Sequence, residues 1–266
     1  MNQTKSNDVE SFTLNWVRTG PADTSTVLLI HPVGLDLTYW DRQIEALRVN
    51  YDVVAFDLPG HGRSGGGPRD WSFDQAVATV AAVIRLAGGG PVHLVGLSFG
   101  GMIAQATVLA HPELVRSLVL MGTASIFAEP IRAGMRARAE AARKGGMEAV
   151  LQSGLERWFT PETRSRRPDL IDRVSKTVLS DDPEVHAAIW EIIANFDVRD
   201  RLPEVTCPTL ILVGELDPST PPSAASVMAE RIQNSRMVVL PNASHMIQLE
   251  SPEAVNAELQ QFLAEI

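Results

Sequence analysis

The chain of 266 residues carries 23 basic and 32 acidic residues, a net charge of −9, with 45% apolar and 21% charged residues. This suits a globular chain of one or two domains and excludes wholesale disorder. The acidic balance argues against a nucleic-acid partner, which needs a basic face. The single cysteine, Cys207, rules out an intrachain disulfide and a Cys₄ or Cys₂His₂ zinc site. Met1–Glu10 is polar and lacks an apolar signal-peptide core. No uncharged apolar stretch reaches the about 18 residues of a membrane span. The expected compartment is a reducing cytoplasm.

In chain order, Ser11–Arg18 alternates and predicts an edge hairpin strand. Nearly continuous apolar runs follow at Thr26–Ile30, Tyr51–Asp57, Val92–Gly96, Val115–Met121, Thr209–Gly214 and Met237–Leu240. Strands covered on both faces read this way. Between them, helices are predicted over Trp40–Arg48, Phe73–Leu86, Phe99–His111, Pro222–Ile232 and Pro252–Ile266. The alternation implies an α/β chain, with a mostly parallel central sheet flanked by helices. The rhythm breaks between Ile126 and about Val205, where helix formers dominate and Pro161, Pro168 and Pro183 mark helix boundaries. Three to five inserted helices are expected there. The predicted division is a core of residues 1–125 and 197–266 and a helical cap of residues 126–196. Residues 127–195 hold nine Arg and two Lys against eleven acidic residues, so the rest of the chain carries the whole negative charge.

Gly60-His61-Gly62-Arg63-Ser64-Gly65 matches G-x-G-x-x-G behind a strand. A dinucleotide site needs a helix at once, to set its N-terminus against the pyrophosphate. Gly66, Gly67 and Pro68 delay any helix to about Ser72. About 20 residues on, where an acid should bind the ribose, the chain reads AAVIRLA. The glycines therefore read as a structural turn.

Gly96-Leu97-Ser98-Phe99-Gly100 is a G-x-S-x-G motif between an apolar strand and a helix, the setting of a nucleophile elbow. Ser98 is the candidate nucleophile and needs a base. Of six histidines, His31 lies at a strand end, His61 in the glycine turn, His93 within the elbow strand, His111 at a helix end and His186 in the insertion. Only His245 occupies a loop at the same sheet edge as Ser98, which makes it the candidate base. Asp217, after Thr209–Gly214, is the candidate carboxylate, with Glu215 its rival. The order Ser…Asp…His is that of α/β-hydrolases. Oxyanion donors are expected from the backbone N–H groups of Phe99 and Val33. Pro32 has none to give. No metal or cofactor is required by this chemistry.

These residues, with Asp57–Ser64 and Gly214–Asp217, resemble the α/β-hydrolase superfamily over nearly the whole chain. More narrowly, Leu97–Gln105, Gly145-Gly146-Met147, Leu155–Thr160 and Asp200-Arg201-Leu202-Pro203 are similar to 3-oxoadipate enol-lactonases. That family commonly has Asn-Ser where this chain has His31-Pro32. The resemblance implies a small-molecule ester or lactone substrate, and narrowly an enol-lactone in aromatic-compound degradation. A general carboxylesterase, C–C bond hydrolysis, cofactor-free perhydrolysis and a receptor-like binding protein are the alternatives. Such a cap should close an apolar pocket over Ser98, with Trp158 chosen to line it although packing between cap and core is the commoner fate of an aromatic. For a carboxylate-bearing substrate one cap arginine should face inward. Arg132, Arg136 and Arg138 are unranked candidates.

Overall fold

The computed structural model describes residues 3–9 and 12–266, with side chains from Thr13 onward. Its strands are β1 (Gln3–Val9), β2 (Phe12–Thr19), β3 (Thr26–Ile30), β4 (Asp52–Phe56), β5 (Val92–Leu97), β6 (Val115–Met121), β7 (Thr209–Gly214) and β8 (Ser235–Leu240). They form one sheet in the order β1-β2-β4-β3-β5-β6-β7-β8. From β4 to β8 all neighbours are parallel, while β1 and β2 pair antiparallel. Every residue of β4, β5 and β7 is buried, as their nearly continuous apolar runs require.

The helices outside the insertion are α1 (Asp41–Leu47), α2 (Phe73–Leu86) and α3 (Phe99–Ala110). Ser72 starts α2 with a capping box: its hydroxyl accepts the Gln75 N–H, and the Gln75 side chain accepts the Ser72 N–H. Between β6 and β7 run five helices, α4 (Glu129–Gly145), α5 (Glu148–Trp158), α6 (Pro161–Arg166), α7 (Pro168–Ser180) and α8 (Pro183–Ala194). Pro161, Pro168 and Pro183 each take the first helical position, where proline's missing N–H costs nothing. The chain closes with α9 (Pro222–Arg231), α10 (Ile247–Glu250) and α11 (Pro252–Ala264).

One expectation changes at the N-terminus. Gln3–Val9 is a strand although its residues are polar and include strand-averse Asn7 and Asp8; pairing with β2 rather than propensity places it there. The alternating run is therefore not the edge strand, because β1 lies outside it. The glycine turn after β4 is a staple. Asp57 accepts from the Leu37 N–H at 2.8 Å, the Arg63 N–H at 2.8 Å and the Asn15 amide at 2.7 Å. A Cβ on Gly62, at φ 53°, would run into that carboxylate.

The order β4-β3-β5 makes the chain reverse direction between β3 and β5, and ligands of such sheets bind outside the carboxyl ends of the strands at that reversal. The loop after β3 and the turn after β5 both open there.

Among the inserted helices, Asp181 between α7 and α8 turns Oδ2 inward without a hydrogen-bond partner among the described residues. Burial, and secondarily the charge of Asp36, push its carboxyl up to about 8. The folded chain thus keeps a proton that the unfolded chain releases near pH 4, so this group's stabilisation falls as pH rises from about 4 to about 8. Asp181→Asn should raise the thermal unfolding midpoint at pH 8, by roughly 2–4 °C per kcal/mol gained. The gain at pH 5 should be smaller; a denaturation scan at both pH values checks it.

Candidate active site

Ser98 joins β5 to α3 with φ 55° and ψ −115°, a strained state for a residue with a Cβ. Such strain costs about 1–3 kcal/mol and persists only where the surroundings over-determine it. They do so here. The Ser98 N–H donates to the Met121 carbonyl at 2.8 Å, and the Ser98 carbonyl accepts the Thr123 hydroxyl at 2.8 Å. A Cβ on Gly96 would strike the Gly100 carbonyl, and one on Gly100 would strike the Ile30 carbonyl. The elbow is thus wedged between the ends of β3 and β6.

The turn aims the serine at His245. His245 Nε2 lies 2.9 Å from Ser98 Oγ, and His245 Nδ1 lies 2.8 Å from Asp217 Oδ2. His245 and Asp217 are buried. Asp217 Oδ1 also accepts the N–H groups of Ser219 and Thr220, at 2.8 and 3.0 Å, and Oδ2 accepts the Thr220 hydroxyl at 2.8 Å. Burial pushes this carboxyl up, but the charge and hydrogen bond of His245 and the bonds from Thr220 outweigh it and hold it below its ordinary value. A charged carboxylate only accepts, so Nδ1 carries the imidazole proton and Nε2 is left to accept from Ser98. Glu215 is exposed and accepts the Asn242 N–H at 3.1 Å, away from the imidazole.

The histidine loop is anchored to its surroundings. Glu250 accepts the Ser244 N–H on one oxygen, at 2.7 Å, and the Thr160 N–H and hydroxyl on the other. The Met246 N–H donates to the Trp158 carbonyl at 3.1 Å. These bonds tie the end of α5 to the loop that carries His245.

Ser98 and His245 open onto a cavity of about 210 Å³. Ile131, Met135 and Arg138 line it from one face of α4, Arg157 and Trp158 from α5, Trp190 and Ile193 from α8. Val33 also lines it, and Phe99 is the first residue of α3, where an N–H has no intrahelical acceptor. Trp158 is both buried and pocket-lining, while its neighbour Phe159 packs in the core. Of the three candidate arginines only Arg138 reaches the cavity. Arg136 pairs with Glu129 on the surface, and Arg132 donates to the Phe127 carbonyl and approaches Asp197. The apolar spacing of α4 held the answer: Arg138 follows Ile131 and Met135 at i+7 and i+3.

Sequence reasoning missed Arg157, Trp190 and Thr220. Arg157 adjoins the chosen Trp158, whereas Trp190 and Thr220 carry no local signal. Among the described residues neither Arg138 nor Arg157 has a salt-bridge partner. The Arg138 guanidinium lies over the Trp190 ring, 4.2 Å from its centroid. Burial and then the neighbouring Arg157 lower Arg138 to about 10, and burial lowers Arg157 against the pull of Glu156. Both remain cations at neutral pH. Among the described residues no group of three or more His, Cys, Asp or Glu is arranged to hold a metal ion. No helix among them is long and apolar enough to cross a membrane.

Residues 27–258 match the model of the alpha/beta hydrolase family. The chain belongs to that family. It is 28% identical over 247 residues to 3-oxoadipate enol-lactonase 2 of Acinetobacter baylyi, covering 93% of this chain and 91% of the relative. The crystal structure of the enol-lactonase from Burkholderia xenovorans LB400 superposes with a TM-score of 0.92 at 25% identity, covering 98% of this chain and 100% of that one. A thermophilic esterase from Thermogutta terrifontis, with malate bound, matches with a TM-score of 0.89 at 30% identity over 100% of this chain and 98% of its own. The esterase and lactonase relatives and the hydrolase family make this chain a hydrolase.

Thr220 supplies two of the bonds that keep Asp217 ionised in a buried setting. Thr220→Val removes the hydroxyl and leaves the backbone donor. A hydrogen bond to a charged group is worth about 1.5–3 kcal/mol, so kcat for p-nitrophenyl acetate should fall about tenfold or more. Steady-state kinetics on the folded variant check this.

Proposed function

We propose that the protein is a serine hydrolase that cleaves a carboxylic ester or lactone through an acyl-enzyme, and that its substrate carries a carboxylate, as an enol-lactone of 3-oxoadipate does. The observation that carries the reading is one cavity holding both the Ser98–His245 pair and two half-buried guanidiniums, Arg138 and Arg157, with no salt-bridge partner among the described residues. A charge drawn partly out of water gains from an opposite charge beside it. A carboxylate placed between these arginines supplies the missing partner, and the apolar lining from Met135, Trp158 and Trp190 suits the rest of a small acyl chain.

In this mechanism Ser98 Oγ attacks the acyl carbon while His245 Nε2 takes its proton. Asp217 holds the imidazole tautomer and stabilises the imidazolium. The N–H groups of Phe99 and Val33 face the oxyanion. His245 protonates the leaving oxygen, which in a lactone stays tethered to the acyl-enzyme. Water, deprotonated by His245, then releases the acid. The helices α4–α8, residues 126–196 in the expected division, act as a cap that selects the substrate. Malate bound to the related esterase and the 3-oxoadipate substrate in the relative's name support an anionic ligand.

Ser98→Ala should keep the fold and lower kcat by about 10⁶-fold. Asp217→Asn should lower it by about 10⁴-fold, because the amide favours the wrong tautomer, while Glu215→Gln stays active. Retention of a tenth of the activity by Ser98→Ala overturns the acyl-enzyme. Arg138→Ala and Arg157→Ala should each raise KM for 3-oxoadipate enol-lactone about 10- to 100-fold, the worth of a charge-assisted hydrogen bond. KM for neutral p-nitrophenyl acetate should change little. Equal effects on the two substrates leave a general carboxylesterase as the reading.

A further inference from the structure

His31 follows β3 directly and is completely buried, outside the Ser98–His245–Asp217 chain. Two bonds orient its ring. The Leu58 N–H donates to Nε2 at 2.8 Å, so that nitrogen holds no proton. The proton therefore sits on Nδ1, which donates to the Pro32 carbonyl at 2.7 Å. Burial favours this neutral ring by lowering its pKa, against the pull of Asp57. His61, with its ring centroid 5.2 Å away, packs beside it and turns to the Pro59 carbonyl instead.

The gripped carbonyl belongs to the peptide that joins Pro32 to Val33. That bond is trans, since no cis peptide occurs among the described residues. Across a trans peptide the C=O and N–H point in opposite directions. Fixing the carbonyl against His31 thus fixes the direction of the Val33 N–H. Pro32 and Val33 line the cavity with Ser98 and His245. Gly34 follows at φ 79°, and a Cβ there would sit 3.2 Å from the Trp158 ring. The loop is held from the core side by His31 and from the α5 side by Trp158.

We propose that His31 is the positioning residue of the oxyanion site: its Nδ1–H grips the Pro32–Val33 peptide and aims the Val33 N–H at the oxygen that becomes negative on acylation of Ser98. The inference rests on the serine-hydrolase reading above. The grip does more than orient, because a hydrogen bond to a carbonyl polarises its peptide and strengthens the N–H at the other end. The effect is confined to the transition state, where the oxyanion exists, and leaves ground-state binding untouched.

Two substitutions separate the bonds of this ring. In His31→Asn the amide nitrogen stands where Nδ1 stood, keeping the bond to Pro32 and losing the one to Leu58. In His31→Gln the amide reaches the place of Nε2, keeping the bond to Leu58 and losing the one to Pro32. The readouts are kcat and KM for p-nitrophenyl acetate, the thermal midpoint, and inhibition by phenylboronic acid, whose tetrahedral serine adduct presents an anionic oxygen. His31→Gln should lose kcat roughly 10- to 100-fold, somewhat less than outright removal of a donor. Its KM should hold and its affinity for phenylboronic acid should weaken in proportion to kcat. His31→Asn should keep kcat and boronate affinity near the wild-type values. Wild-type kcat in His31→Gln overturns the proposal. So does an equal loss in both variants, or a loss of kcat that follows the thermal midpoint while boronate affinity holds. Ser98→Ala separates the two levels: if it is inactive while His31→Gln is fully active, only the role of His31 falls, whereas an active Ser98→Ala removes the hydrolase reading itself.

Discussion

One backbone state governs the site. Ser98 can reach His245 only because its own backbone turns through a left-handed conformation at the end of β5. That turn brings the start of α3 close against the end of β3. Only glycine fits at positions 96 and 100, where a Cβ would meet a carbonyl oxygen. The strain, of order 1–3 kcal/mol, is offset by the bonds from Met121 and Thr123 and by the packing of three fully buried strands. The same geometry leaves the Phe99 N–H unspent at a helix start, beside the loop that holds Val33. Strain, close approach and donor placement are therefore one feature of the elbow.

Two kinds of charge stand around the site, a buried carboxylate behind His245 and two half-buried guanidiniums in the cavity wall, and they are treated oppositely. The Asp217 carboxylate is saturated: two backbone N–H groups, a hydroxyl and an imidazole N–H surround it. Those bonds outweigh its desolvation, and the carboxyl stays ionised where burial alone would protonate it. Among the described residues Arg138 and Arg157 have no such saturation, only an aromatic face beneath Arg138. A guanidinium cannot escape by losing its proton, since even lowered to about 10 Arg138 remains charged at neutral pH. A satisfied charge is a tool of the chemistry, and an unsatisfied one is an invitation to an anion.

The layered fold and the Ser98, Asp217 and His245 positions were legible in the sequence because each had a local signature: apolar runs for strands, a G-x-S-x-G between strand and helix, a loop at the right sheet edge. Prolines at 161, 168 and 183 announced the helices they open. What was illegible depends on contacts far apart in the chain. β1 is a strand because β2 pairs with it, not because of its composition. Trp190 reaches the cavity because α8 packs on α4, and nothing in its apolar helix distinguishes a pocket face from a core face. Arg157 and Thr220 likewise acquire meaning only from what lies opposite them. The G-x-G-x-x-G turn shows the converse. Its Gly62 answers to the Asp57 carboxylate, which staples the loops after β3 and β4 to β2.

The two parts of the chain supply different things to the cavity. In the proposed reaction every group that meets the reacting atoms comes from a loop or turn at the carboxyl ends of β3, β5, β7 and β8, of which β5 and β7 are buried along their whole length. The rest of the cavity wall comes largely from α4, α5 and α8. The connection between them runs through backbone bonds at the Trp158 carbonyl and through Glu250, which spans Thr160 and Ser244. Side chains on the inner faces of the inserted helices can therefore change without moving Ser98, His245 or Asp217. Such an arrangement lets one reaction serve different acyl groups within one backbone: the chain superposes at a TM-score of 0.92 over 98% of its length on a relative at 25% sequence identity.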